Sequence, residues 1–147
     1  MTIREATAAE APAVAALVDR AYARWVPVIG RKPLPMLDDY DARIAARQVF
    51  VLADREIAGI LVIEDQPDHL YLDNIAVDPS RQGQGIGRLL LDFVDARARA
   101  LGHRLLKLHT NVLMLSNQAL YARHGWVETH RGTEQGINRV YMEKRLG

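Results

Sequence analysis

The sequence contains no cysteine among its 147 residues. This absence excludes disulfide bonds, thiolate metal ligands and a cysteine nucleophile. Long hydrophobic runs are also missing: no apolar stretch approaches the ~18 residues that a membrane span needs, and the first residues form no apolar signal segment. We therefore expect no membrane partner and an intracellular, cytoplasmic location.

Charge of one sign is equally lacking. The 19 lysines and arginines nearly balance the 18 aspartates and glutamates, which gives a formal net charge of +1. This balance offers no electrostatic basis for a nucleic-acid partner. The 5 histidines are scattered without the spacing of metal ligands, so we expect no metal site. A chain of this length suits one hydrophobic core, and we predict a single domain over residues 1–147.

The hydrophobic periodicity predicts alternating strands and helices. Helices are predicted over 8–24, 36–47, 85–101 and 115–124. Strands are predicted over 2–6, 48–53, 56–63, 69–77, 104–110, 126–130 and 139–144. We predict a loop over the proline-rich stretch 25–35, turns at 54–55 and 132–136, and a capping box of Thr7 with Glu10. This order predicts a mixed α/β fold of helices on one sheet, with strands 69–77 and 104–110 parallel.

A glycine-rich turn between strand 69–77 and helix 85–101 is the sharpest local signal. It reads Gln82-Gly83-Gln84-Gly85-Ile86-Gly87-Arg88. The start of a helix has unpaired N–H groups and a partial positive charge, and glycines let a diphosphate approach the backbone. Arg88 could add a charge-assisted bond. The alternative is a plain helix cap, which needs only one glycine.

Two other phosphate-binding motifs do not fit this turn. G-x-G-x-x-G requires glycine where Arg88 stands, and a P-loop requires a Gly-Lys-Ser/Thr sequence that is absent. Two blocks of the sequence instead form a recognisable pair. The first is Ile75-Ala76-Val77-Asp78-Pro79 followed by Gln82-x-x-Gly85-x-Gly87. The second is Met114-x-x-Asn117-x-x-x-Tyr121 followed by Gly125-Trp126. Together these blocks resemble the GNAT superfamily of N-acetyltransferases.

The resemblance implies both a fold and a cofactor. The fold is a mixed, mostly antiparallel sheet flanked by helices, in which a parallel strand pair splays apart at an acetyl-CoA site. The resemblance assigns backbone groups of the Ile75-Ala76-Val77 segment to pantetheine and the amides of Gln82 to Arg88 to the diphosphate. It places Asn117 along pantetheine and Tyr121 facing the sulfur.

The reaction implied by the resemblance is attack of an amine on a thioester. The leaving thiolate needs a proton, and Tyr121 suits this general-acid role because a phenol holds its proton at neutral pH. The alternative is a tyrosine that only packs its helix on the sheet. His109 and Asp73 are the candidate general bases, and a water chain without a dedicated base fits equally well. A backbone N–H at Val77 is the family-like donor to the oxyanion.

The acceptor is expected to be an amine of a small molecule or a peptide. Trp25, Asp39, Tyr40 and Asn74 are the candidate acceptor-binding residues, since carboxylates and aromatic rings could hold a cationic amine. The alternative is that the acidic residues form a solvated helix start, and Arg31-Lys32 would instead suit an acidic acceptor. The last two strands could mediate a homodimer.

Two further classes of protein compete with the enzyme. A non-catalytic module that senses acyl-CoA would need the turn of Gln82 to Arg88 but not Tyr121. A structural interaction domain without a ligand would leave the cluster of glycines unexplained. The occurrence of Tyr121 at the matching position favours the acetyltransferase.

Overall fold

The computed structural model describes residues 1–147. Its residues divide into two units. The first unit comprises residues 1–63 and 74–93, and the second comprises residues 64–73 and 94–147. The boundaries at 63–64, 73–74 and 93–94 all fall inside regular secondary structure, so two strands and one helix contribute to both units. The prediction of a single domain stays a prediction.

One sheet of 7 strands runs in the order β1-β2-β3-β4-β5-β7-β6. Its strands are β1 Thr2–Glu5, β2 Val49–Ala53, β3 Ile57–Asp65, β4 Leu70–Val77, β5 Leu105–Asn111, β6 Val127–Glu134 and β7 Ile137–Arg145. The pairs β1–β2, β2–β3, β5–β7 and β6–β7 are antiparallel, whereas β4 and β5 are parallel. The mixed, mostly antiparallel sheet with its parallel pair is therefore confirmed.

Five α-helices accompany the sheet. They are α1 Ala11–Tyr22, α2 Val26–Ile29, α3 Tyr40–Ala45, α4 Ile86–Ala100 and α5 Leu115–Arg123. Short 3-10 turns occupy Ala8–Glu10, Ala23–Trp25, Leu34–Leu37 and Pro79–Arg81. The predicted capping box is present, with the Thr7 amide donating to Glu10 Oε1 at 2.9 Å. No helix is both long and apolar enough to cross a bilayer.

Two sequence predictions in the segment 25–47 are wrong. The predicted loop contains the short helix α2, and the helix predicted over 36–47 shrinks to α3. The helix starts late because Asp38 is extended and the Asp39 carboxylate accepts a hydrogen bond from the Ala42 amide at 3.1 Å. Aspartate at this position therefore caps the helix rather than extending it.

The final hairpin is longer than predicted. The turn predicted over 132–136 is reduced to Gln135 and Gly136, whose φ angles are 53° and 74°. Positive φ at both central residues fits the tight turn that joins two antiparallel strands with the usual twist. β6 therefore continues through Gly132, which pairs with Arg139 of β7.

In the first unit, Gly59 lets α4 approach the sheet closely. A Cβ atom at this position of β3 would lie 2.9 Å from Leu90 Cδ1, 3.1 Å from Ile86 Cγ2 and 3.3 Å from the Ala76 carbonyl oxygen. Ile86 and Leu90 are fully buried on the first turns of α4. The absence of a side chain at Gly59 therefore sets how the start of α4 packs on β3.

In the second unit, β5 alternates between two environments. Leu106, Leu108 and Thr110 are buried, whereas Lys107, His109 and Asn111 are only half-buried on the opposite face. This period of two is expected for a strand whose faces pack differently. It places His109 beside the polar residues of neighbouring strands rather than in the apolar core.

Replacing Gly59 by alanine should destabilise the protein by about 1–3 kcal/mol, the usual cost of overpacking a close-packed site. Urea unfolding followed by circular dichroism measures the loss. Gly132→Ala is a matched control, since its Cβ would meet only the Tyr141 ring at 3.4 Å. Equal stability changes for the two variants would contradict the close packing at Gly59.

Candidate active site

The glycine turn leads from β4 into α4 within the first unit. Gly83 and Gly85 adopt φ angles of 80° and 76°, in the left-handed region that favours glycine. A Cβ atom at either position would meet no heavy atom within 4 Å. The turn is therefore open to solvent on the side where its glycine α-carbons lie.

Successive backbone amides of this turn have no hydrogen-bond acceptor in the protein. The Arg81 amide donates to Asp78 at 2.8 Å and the Leu89 amide donates to Gly85 at 3.1 Å, but no amide between Gly83 and Arg88 donates to another residue. Arg88 is exposed in the first turn of α4 and its guanidinium has no partner. Unpaired N–H groups and a free cation at a helix start are suited to an anion.

Hydrogen bonds and ion pairs stabilise the segment that leads into this turn. The Asp78 carboxylate accepts from the Ser80 amide at 3.0 Å and from Arg20 of α1 at 2.8 Å. These partners, the Ser80 amide first, hold the pKa of Asp78 below its ordinary value. Arg81 donates to Asp54 in the β2–β3 turn at 3.1 Å and to Gln84 at 3.2 Å. The loop conformation is thus fixed by groups outside the glycines.

Two predicted acceptor-binding residues, Tyr40 and Asn74, are brought together in a buried network of the first unit. Tyr22 donates to Asn74 Oδ1 at 2.6 Å, Asn74 Nδ2 donates to the Tyr40 oxygen at 3.2 Å, and Tyr40 donates to the Pro35 carbonyl at 2.6 Å. All three side chains are buried. The network therefore ties β4 to α1 and to the segment before α3.

The other two predicted acceptor-binding residues are less enclosed. Asp39 is exposed and serves as the N-cap of α3. Trp25 is half-buried at the end of its 3-10 turn, and the Arg24 guanidinium carbon lies 4.9 Å above its ring. Their local structural roles are sufficient to explain both positions, and acceptor binding by them stays a prediction.

The predicted pantetheine strand is buried up to its last residue. Ile75 and Ala76 are buried in β4, and Val77 is half-buried at the end of the strand. The Ile75 carbonyl accepts a hydrogen bond from Tyr22 at 3.3 Å. Asp73 is half-buried two residues before Ile75.

In the second unit, the predicted general acid Tyr121 is buried but makes no hydrogen bond through its hydroxyl. The side chain lies on α5, and its ring centroid is 6.3 Å from that of Trp126. Burial raises the pKa of the phenol, which therefore keeps its proton at neutral pH. A hydroxyl without a protein partner is available to a ligand.

Helix α5 is anchored by a residue that sequence reasoning missed. The Gln118 amide nitrogen donates to the carbonyl oxygens of Asn111 at 3.2 Å and Val112 at 3.0 Å. Asn117, the predicted pantetheine residue, is half-buried, and its amide contacts the Met114 sulfur at 3.8 Å. Gln118 therefore orients the helix that carries Tyr121.

His109, a predicted base, lies between two phenol rings. Its ring centroid is 5.7 Å from that of Tyr71 on β4 and 6.0 Å from that of Tyr141 on β7, and its Nδ1 is hydrogen-bonded to the Tyr71 hydroxyl. Burial, together with the positive charge of Arg139, lowers the pKa of His109 to about 4. The imidazole is therefore neutral at neutral pH and is a weak base.

Sequence reasoning missed the tyrosines that surround these predicted residues. Tyr22, Tyr71 and Tyr141 belong to no motif, and each reaches its partner across neighbouring elements. A usable signal exists for Tyr71, because the parallel pairing of β4 with β5 and the period of two bring it to the same face as His109. The glycine turn lies in the first unit and Tyr121 in the second.

A family profile described as "Acetyltransferase (GNAT) domain" matches residues 45–128, which is more than half of the chain. The chain therefore belongs to the GNAT acetyltransferase family. Over 90 residues it is 30% identical to an IAA acetyltransferase of Azospirillum brasilense. That match covers 60% of this chain and 59% of the relative, so it spans less than two thirds of the relative's length.

Solved structures share the fold. The PaiA N-acetyltransferase of Thermoplasma acidophilum, solved in complex with coenzyme A, has a TM-score of 0.84 and 14% identity, with 98% of each chain covered. The ribosomal-protein-S18-alanine N-acetyltransferase of Escherichia coli has a TM-score of 0.76 and 24% identity, with 99% of this chain and 93% of that chain covered. At these identities the likeness concerns the fold alone.

Replacing Gly85 by alanine should weaken acetyl-CoA binding at least tenfold, because a Cβ would stand where an anion approaches the backbone. The left-handed backbone should also cost about 1–2 kcal/mol of stability. Gly102→Ala is a matched control, since Gly102 has a φ of 83° and equally open surroundings. Isothermal titration calorimetry of both variants separates backbone strain from ligand contact. Equal loss of affinity would contradict the proposed contact.

The lowered pKa of His109 makes stability depend on pH. Between pH 6.5 and about 4 the unfolded chain binds a proton at this residue while the folded protein does not. The folded state should therefore lose stability as pH falls through this window, on the order of 2 kcal/mol after screening, and should be unaffected above it. Comparing urea unfolding of the wild type and His109→Gln from pH 4 to 8 isolates the effect. A difference in stability between the two proteins that does not change with pH would contradict the lowered pKa of His109.

Proposed function

We propose that this protein transfers an acetyl group from acetyl-CoA to an amine of a small molecule or a peptide. The observation that carries the proposal is the run of unpaired amides from Gly83 to Arg88 at the start of α4. Membership of the GNAT family makes acetyl-CoA the ligand that this anion site would take. The relative solved with coenzyme A supports the same cofactor.

The glycine turn would hold the diphosphate of coenzyme A. Its amides point at the ligand without first giving up internal hydrogen bonds, so binding costs little reorganisation of the protein. Arg88 would add a charge-assisted bond, while Arg20 and Arg81 keep the loop in shape through Asp78 and Asp54. Ile75, Ala76, Val77 and Asn117 would take the pantetheine arm.

Tyr121 would donate to the departing sulfur. The amine nitrogen forms a bond to the thioester carbonyl carbon, the carbon–sulfur bond breaks, and the thiolate receives the phenol proton. The backbone N–H of Val77 would stabilise the oxyanion. Burial raises the pKa of Tyr121, so the phenol keeps its proton until the thiolate forms. Water then restores the proton of Tyr121.

A dedicated base is not needed in this scheme. The pKa of His109, about 4, lies far below the ~10 of an alkylammonium, so the imidazole could not hold a proton taken from the amine. Asp73 remains the alternative among the side chains. We propose that the amine binds in its unprotonated form, and that its nitrogen releases a proton to solvent through a water chain only after attack has made that nitrogen acidic.

The acceptor is proposed only by class. One solved structure is named as a ribosomal-protein-S18-alanine N-acetyltransferase and one sequence relative as an IAA acetyltransferase, so these names indicate no single acceptor. Trp25 and Asp39 would contact the acceptor, whereas Tyr40 and Asn74 would shape its site through their buried network. We also propose that the enzyme is cytoplasmic. Strand β6 is exposed along most of its length, and we propose that it could pair with a second copy of the chain.

An acyl-CoA sensor without turnover is the second candidate function. It would use the same glycine turn and would give Tyr121 no chemical task. The Tyr121 hydroxyl makes no hydrogen bond within the protein, so it is free for the proton transfer that only the enzyme requires. Its position in the family motif therefore favours the enzyme.

Thermal unfolding with acetyl-CoA tests the cofactor site. Ligand at about 100 times its dissociation constant should add ~2.7 kcal/mol to stability, which is a shift of several degrees for a domain of this size. Adenine nucleotides without pantetheine should produce a smaller shift. No shift at millimolar acetyl-CoA would contradict the proposed function.

Tyr121→Phe tests the general acid. The rate of amine acetylation should fall by about 10²–10⁴, the usual range for acid–base groups. The affinity for acetyl-CoA should stay near that of the wild type. Stability should not fall, because the removed hydroxyl has no protein partner. Unchanged turnover in a steady-state thiol-release assay would remove Tyr121 from the mechanism.

A further inference from the structure

His109 is held from one side by a hydroxyl that has no other partner. The only hydrogen bond of the Tyr71 hydroxyl is with His109 Nδ1. The second phenol beside the imidazole, that of Tyr141, donates instead to Glu134 Oε1 at 2.8 Å. The two tyrosines therefore differ in what they do to the imidazole, although both rings contact it.

The direction of the Tyr71–His109 hydrogen bond follows from this difference. If Nδ1 carried the proton and donated it, the Tyr71 O–H would be left half-buried without an acceptor. If the phenol donates to an unprotonated Nδ1, both groups are satisfied, and a phenol is the better donor of the two. The second arrangement leaves the imidazole proton on Nε2, which has no partner in the protein.

Burial is the main reason that the imidazole stays neutral, and the charges around the ring partly oppose one another. Arg139 on β7 opposes the imidazolium, while Glu134 on β6 and Glu64 at the end of β3 favour it. Glu134 accepts from Arg139 at 2.8 Å in addition to Tyr141, so its carboxylate is already occupied. With burial added, the neutral form prevails.

We propose that Tyr71 is a positioning residue that fixes His109 as its Nε2–H tautomer, so that His109 offers a ligand a hydrogen-bond donor and not a base. The ligand atom that it binds is then an acceptor of hydrogen bonds, such as an oxygen of the acyl donor or of the amine substrate. This role rests on the proposed function, because it assigns the proton of the amine to water.

The tautomer can be read directly by two-bond ¹H–¹⁵N NMR correlation on the full chain labelled with ¹⁵N-histidine. His109→Gln identifies the signal by its loss. We expect the neutral Nε2–H pattern, unchanged from pH 5 to 8. An Nδ1–H pattern, or an imidazolium at pH 7, would overturn the proposal.

Two conservative variants separate positioning from packing. Tyr71→Phe keeps the ring but removes the donor, and should shift His109 toward a mixture of tautomers. Tyr141→Phe is the matched control, because its hydroxyl serves Glu134, and it should leave the tautomer unchanged. The same response in both variants would show that packing, not the Tyr71 hydroxyl, sets the tautomer.

Kinetics supply a second readout. The side-chain amide of glutamine can replace the Nε2–H donor, so His109→Gln should keep kcat/KM within about tenfold, whereas a lost base costs ~10²–10⁴. His109→Ala should be the weaker enzyme of the two. Equal, large losses in both variants would overturn the donor role. The NMR result is independent of acetyl-CoA binding, so failure of the proposed function would be recognised separately.

Discussion

The proposed acetyl-CoA site depends on a stretch of backbone whose N–H groups have no hydrogen-bond acceptor within the protein. Between Gly83 and Arg88 the amides at the start of α4 have no internal acceptor, and the left-handed glycines are needed to keep them turned outward. Such a turn has little stability of its own, so its neighbours must hold it. Asp78 caps its first residues, and Gly59 lets the buried side of α4 pack tightly on β3. The conformation of the proposed anion site is thus maintained by residues outside the glycine turn.

Some polar groups of this protein are hydrogen-bonded to one another and hold its elements together. Others have no partner within the protein and belong to the proposed acetyl-CoA site. Asn74 and Tyr40 are buried and fully engaged with each other and with neighbouring groups, so they hold elements together. The hydroxyl of Tyr121 makes no hydrogen bond within the protein, and the amides of the exposed glycine turn share this property. Groups without a partner in the protein are available to a ligand, and we propose that acetyl-CoA pairs with both.

Local sequence signals predicted much of the architecture. Hydrophobic periodicity located the sheet and α4, and Thr7 with Glu10 located a helix start, because these features depend on residues close in sequence. The helix predicted over 36–47 was wrong at its start because aspartates near a helix start can also act as N-caps. Asp39 caps α3, so the helix begins only at Tyr40. The predicted parallel pair puts Tyr71 on the same face as His109, but their hydrogen bond depends on the exact register of two strands separated by a helix, which no motif specifies. Sequence motifs identified the glycine turn and Tyr121, whereas the burial and hydrogen bonding of these residues were established only by the structure.

Backbone amide shifts test the central claim most directly. In ¹H–¹⁵N correlation spectra of the full chain, acetyl-CoA should move the amide signals of Gly83 to Arg88 downfield, as expected for N–H groups that gain charged acceptors. Amides with internal acceptors, such as that of Leu89, should move less. Binding of acetyl-CoA without perturbation of these amides would place the diphosphate elsewhere and contradict the account.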